Sequence, residues 1–169
     1  MSLYDEFDFF IWFAVLAIPA IVLGYMEKKI KVYGFLVTLV FVYMALRNAP
    51  IALGWLALFC VYDYVLIVSF IKLRQKFGRN KIVYRLYLLA SLLPLICNKL
   101  LGLSGNPDKI FMFLGISYLT FKGIQIIIEI FDGIVKNQEP LDYLYFMIFF
   151  PSITSGPIDR SRRFEEDLN

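Results

Sequence analysis

With 60% hydrophobic and 18% aromatic residues among 169 and a mean hydropathy of +0.69, the chain is too apolar for an ordinary soluble domain, which carries roughly 45–50% apolar residues. The net charge of +3 is small, and the basic residues cluster between apolar blocks. That placement excludes a nucleic-acid surface and fits loops at a membrane.

The composition reads as an all-α polytopic membrane protein, with about five transmembrane helices and a short re-entrant half-helix. The first apolar run, residues 7–26, follows Asp5 and Glu6 and contains Asp8 near its start, where a secretion signal would be basic. It therefore reads as a retained span with its N-terminus outside. The loop EKKIK (Glu27–Lys31) is then cytosolic, as the positive-inside rule requires. A second run over 32–46 ends at RNAP. A third, over 51–71, is followed by KLRQKFGRNK (Lys72–Lys81), the most basic linker and so also cytosolic. The fourth, over 82–101, leads into the turn-rich GLSGNPDK on the outer side. The fifth, over 110–131, returns the chain to the cytosol at Asp132. Cys60 and Cys97 both lie inside apolar runs, which predicts buried small hydrophobes and neither a disulfide nor a metal site.

The next block is too short for a span. LDYLYFMIFFPSI (Leu141–Ile153) reaches about 20 Å as a helix, whereas the hydrocarbon core is about 30 Å thick and takes roughly 20 residues. Arg160, Arg162 and Arg163 follow closely. A re-entrant segment over 141–158, entering from the cytosol and turning at Pro151–Pro157, satisfies both facts; a short tilted span is the alternative.

Charges inside the runs mark the candidate site. Lys122, Gln125, Glu129 and Asp132 are spaced 3, 4 and 3 apart, which puts them within an arc of about 80° on the fifth helix, with Gly115 and Tyr118 on or near it. Such a stripe faces protein or a watery cavity, either gluing helices together or lining a polar chamber. Asp63 and Lys122 stand at matching depths and are expected to pair or to share a water-filled pocket, because an isolated charge there is costly. Arg85 and Glu129 form a second candidate pair, with snorkelling of Arg85 to the interface as the alternative.

LGISYLTFKGIQIIIEIFDG together with FFPSITSGPIDRSRRF resembles the membrane-bound O-acyltransferases, and within them the D-alanyl branch of Gram-positive bacteria. Gly115–Phe121 and the Phe149–Arg160 pattern are the segments shared widely in that family. The resemblance implies a ring of membrane helices around a thinned centre in a multi-pass protein of the bacterial plasma membrane. It implies transfer of D-alanine toward lipoteichoic acid from a carrier protein that bears the acyl group on phosphopantetheine, with no cofactor bound by the chain itself. Other D-alanylation membrane proteins, the bilayer and a C-terminal part of the enzyme are the further partners implied. Tyr118, Lys122, Gln125, Glu129, Ser155, Asp159 and Arg160 then line or support the chamber, while Asp63 and Arg85 are structural charges. The family's catalytic histidine lies well past the Gly-Pro-Ile segment, and this chain has no histidine. Residues 1–169 are accordingly expected to be the N-terminal portion of one transmembrane domain, with no catalytic residue and no activity alone. An alginate-type acetyltransferase and a non-catalytic scaffold or channel subunit are the other readings.

Overall fold

Prolines and glycines divide the apolar runs into helices. The computed structural model describes residues 31–47, 49–103 and 115–149, together with positions 15, 18 and 19. All regular structure among these residues is helical: α1 (Lys31–Leu46), α2 (Pro50–Phe77), α3 (Lys81–Leu103), α4 (Ile116–Asp132) and α5 (Pro140–Ile148). All but positions 15, 18 and 19 of the predicted first span over 7–26, most of the turn-rich loop after α3 and the returning limb of the re-entrant segment lie outside the described residues.

Pro50 opens α2 in its first turn, where a missing N–H is no loss. The helix then runs for 28 residues, about 42 Å, and carries the first half of the predicted basic linker. Lys, Arg and Gln are good helix formers, and Arg74 and Lys76 in the last turn suit the negative end of the helix dipole. Gly78 stops it at φ 68, with its N–H bonded to the Arg74 carbonyl at 3.0 Å. Two residues later the Asn80 side-chain oxygen accepts from the Ile82 and Val83 N–H groups at 2.9 and 3.3 Å and so caps α3. Both α2 and α3 contain stretches long and apolar enough to cross a membrane.

Pro94 sits inside α3 and withdraws the N–H that the Ala90 carbonyl would otherwise receive. Tyr62 of α2 replaces it, its hydroxyl donating to that carbonyl at 2.8 Å. Farther along the same interface the Tyr87 hydroxyl donates to Ser69 Oγ at 3.0 Å, and Ser69 donates to the Leu66 carbonyl at 2.8 Å. Polar groups between these two helices thus meet partners, as an apolar surrounding demands.

The isoleucine-rich α4 is bounded by glycines in the left-handed region, Gly115 at φ 89 and Gly133 at φ 80. Gly133 N–H bonds the Ile130 carbonyl at 3.0 Å and Ile134 N–H bonds the Glu129 carbonyl at 2.9 Å, a Schellman closure. The helix packs on α2 and α3; Leu119, Ile126, Ile127 and Ile130 are fully buried, while Phe121 and Ile128 are exposed. The nine-residue α5, about 13 Å long, lies against α1. Asp142 pairs with Lys31, the Tyr145 ring meets Phe35 edge-on, and the Tyr145 hydroxyl occupies the space where a side chain on Gly34 would begin. Lys31, Gly34 and Phe35 share one helix face through their 3 and 4 spacings.

Candidate functional site

A carboxylate and an ammonium, each only 1% exposed, form the polar interior of this bundle. Asp63, midway along α2, accepts from the Tyr143 hydroxyl of α5 at 3.0 Å and from the Ser91 hydroxyl of α3 at 3.4 Å. The same Tyr143 hydroxyl lies 3.2 Å from the Cys60 carbonyl, which shares its proton. On the remaining side Asp63 presses on Gly123 of α4, where an added Cβ would meet the carboxylate oxygens at 2.5 and 2.6 Å. One acidic side chain therefore touches all three helices packed around α2 at this level.

Lys122 is the next residue of α4 but points elsewhere, because neighbours on a helix diverge by about 100°. Its ammonium donates to the Phe146 carbonyl at 2.7 Å and to the Met147 carbonyl at 3.4 Å, in the last turn of α5. The final carbonyls of a helix have no internal partners, and the negative end of the helix dipole favours a cation. Lys122 therefore acts as a carboxyl-terminal cap delivered from a different helix. The rings of Phe146 and Tyr118 lie 4.9 and 5.3 Å from the ammonium and add cation–π stabilisation.

The expected Asp63–Lys122 ion pair does not form, and each group has other partners. Among the described residues the ion pairs are Lys31–Asp142 and Arg79–Asp132. Glycine rather than lysine faces Asp63, and α5 serves both charges, giving Tyr143 to one and, a turn later, its carbonyls to the other. The Arg85–Glu129 pair is absent as well: Arg85 is exposed, whereas Glu129 is 6% exposed and accepts from Gln125 at 3.5 Å. Arg79, from the basic linker, takes the cationic role at this end by pairing with Asp132 at 3.1 Å. Along the stripe, Lys122 and Glu129 are buried, Tyr118 and Gln125 half-buried and Asp132 exposed. Ser155, Asp159 and Arg160 lie outside the described residues. Cys60 is buried, but Cys97 is exposed, contrary to the expectation for both thiols.

Sequence reasoning missed Tyr143, Ser91 and Gly123. Hydroxyls in apolar runs are common, and which one reaches a carboxylate depends on helix rotation. The one readable signal was Gly123, a poor helix former beside a buried charge in an isoleucine-rich helix. Among the described residues no group of three or more His, Cys, Asp or Glu side chains is gathered as a metal site. An apolar groove of about 370 Å³ opens beside the Asp63 cluster between α1, α2 and α5, walled by Leu39, Leu56, Tyr64 and Leu144. Chemically the arrangement fixes helices through buried polar contacts.

No family model matches the chain. It is similar along nearly its whole length to three curated proteins named teichoic acid D-alanyltransferase. The relative from Bacillus subtilis (strain 168) is 38% identical over 174 residues, covering 99% of this chain and 44% of the relative. That from Streptococcus thermophilus is 34% identical, covering 97% of this chain and 40% of the relative. That from Lacticaseibacillus rhamnosus is 30% identical, covering 98% and 42%. The chain thus spans less than half the length of the curated relatives it matches.

Proposed function

We propose that these residues are part of a membrane O-acyltransferase that moves D-alanine from the phosphopantetheine thioester of a carrier protein toward lipoteichoic acid. The observation that carries the reading is the similarity, over 97–99% of the chain, to three proteins named for teichoic acid D-alanylation. In this reading the chain sits in the bacterial plasma membrane with its N-terminus outside and crosses it about five times. The five spans and the half-helix α5 belong to a ring of the membrane-bound O-acyltransferase type, beside the other membrane proteins of D-alanylation.

The chemistry defines what the segment can contribute. A hydroxyl oxygen attacks the thioester carbonyl, the C–O bond forms, the C–S bond breaks, and the hydroxyl proton must pass to a base. A base with a pKa near the operating pH serves best, and the chain contains no imidazole. Asp63 and Lys122 are occupied in joining helices. The segment's contribution is therefore structural: Lys122 holds the last turn of α5 through the Phe146 and Met147 carbonyls. The base comes from the part of the enzyme that these residues do not cover.

A chimera tests this. In a B. subtilis strain lacking its own D-alanyltransferase, the matching segment of that relative is replaced by these 169 residues, and ester-linked D-alanine on teichoic acid is measured. The chimera restores D-alanylation, and the 169 residues alone do not. A chimera present in the membrane at normal amounts yet leaving teichoic acid bare overturns the assignment; D-alanylation by the segment alone overturns its supporting role.

A further inference from the structure

A second cavity, of about 350 Å³, lies between the carboxyl ends of α2 and α4. Its inner wall is apolar, formed by Ile71, Ile130 and Val135, and its rim carries Arg74, Gln75 and Lys136. Gly78 and Gly133 complete the lining; both adopt the left-handed backbone that favours glycine, and neither has a side chain to fill the space. The Arg74 guanidinium is half-buried; its Nε donates to the Phe131 carbonyl at 3.4 Å while Nη2 reaches over Gly133. Gln75 spans the mouth, donating to the Lys136 carbonyl at 3.2 Å. Lys72, Lys76, Lys81 and Arg85, in or close to the same basic linker of the sequence, are exposed. The nearby acids do not cancel this field: Asp132 is paired with Arg79, and Glu129 is buried and bonded by Gln125.

Apolar depth below a basic rim, at the end of membrane-length helices, matches an anionic amphiphile. Basic pockets between helices on the cytosolic side hold acidic lipid headgroups by such charge complementarity. We propose that this cavity binds an anionic phospholipid of the cytosolic leaflet, with its phosphodiester on Arg74 and Lys136 and its glycerol and upper acyl carbons against Ile71, Ile130 and Val135. The occupant is a lipid and not free phosphate, because free phosphate would leave the apolar wall uncovered. The proposal rests on the reading of α2 and α3 as membrane spans, but not on the acyl-transfer activity.

The test uses the full chain purified in detergent and native mass spectrometry, titrating palmitoyl-oleoyl phosphatidylglycerol against phosphatidylcholine of the same chains. One phosphatidylglycerol is retained in preference to phosphatidylcholine. Affinity falls about fivefold for each rim cation removed, in Lys136→Gln and further in Arg74→Gln/Lys136→Gln, whereas Lys99→Gln, at the other end of α3, changes nothing. Lys136 is exposed, so its variant separates lost binding from lost folding, and Arg74→Lys keeps the preference. Equal retention of both lipids, undiminished retention by the double variant, or displacement by inorganic phosphate overturns the proposal. Alkaline carbonate extraction is run in parallel: release of the chain into the soluble fraction refutes the membrane reading itself, independently of lipid preference.

Discussion

Asp63 lies so close to Gly123 that a methyl group there must move the carboxylate. Gly123→Ala therefore breaks the Tyr143 and Ser91 bonds by displacement, and overpacking of this kind typically costs about 1–3 kcal/mol. Asp63→Ala abolishes the same bonds by deletion, leaving the Ser91 hydroxyl without this acceptor and Tyr143 with the Cys60 carbonyl alone, at about 1–3 kcal/mol for a buried group. The double variant should be less unstable than the sum, because the truncated side chain leaves the room the methyl needs. The expected coupling is on the order of 1 kcal/mol, read from thermal midpoints of detergent-solubilised protein; strict additivity would show that the two positions do not meet. At this scale the sequence disclosed the charges but not their partners. Asp63 and Lys122 stand out because an ionised group in an apolar run must be compensated. Matching depth suggested that they compensate each other, but depth is one coordinate and rotation about the helix axis is another. The 100° between Lys122 and Gly123 sends the lysine to the carbonyls of α5 and leaves glycine against the carboxylate.

Helices are delimited by hydropathy only where apolar residues end at a breaker. Where they end at lysine and arginine, as in α2, the helix continues to the first glycine, and a linker read from charge proves to be half helix. Pro94 illustrates the converse: a breaker inside α3 is absorbed because α2 presents Tyr62 to the freed Ala90 carbonyl. Nothing in the α3 sequence announces that partner. Tyr62→Phe should cost about 1 kcal/mol by leaving a half-buried carbonyl unsatisfied. In a Pro94→Ala background the internal N–H of residue 94 can return, and Tyr62→Phe should become nearly silent. Thermal midpoints of the four proteins in the cycle decide this; an equal cost of Tyr62→Phe in both backgrounds would mean that the tyrosine acts through packing alone.

At the scale of the described bundle, α5 is the piece that touches α1, α2 and α4, while α3 and α4 pack on α2 and on each other. Each contact uses a different chemistry: the Lys31–Asp142 ion pair to α1, the Tyr143–Asp63 bond to α2, and the Lys122 cap to α4. A helix of nine residues has little stability of its own, so these docking contacts set its position. Opening of α5 is then a local event, cheaper than unfolding the α2–α3–α4 packing. Lys122→Met preserves much of the side-chain length and apolar stem but removes the charged donor from the Phe146 and Met147 carbonyls, a loss of roughly 2–3 kcal/mol for bonds of this charge-assisted type. Hydrogen exchange should therefore rise by one to two orders of magnitude over residues 140–148, since about 1.4 kcal/mol corresponds to tenfold, with little change over residues 81–100. In the B. subtilis chimera the same substitution should lower D-alanylation while leaving the amount of protein in the membrane unchanged, because α5 loses a contact that holds it and misplacement by about 1 Å can cost a hundredfold in rate. Exchange rising equally in α3 would show that Lys122 supports the whole bundle, and unchanged exchange in α5 would show that the cap does not set the position of the short helix.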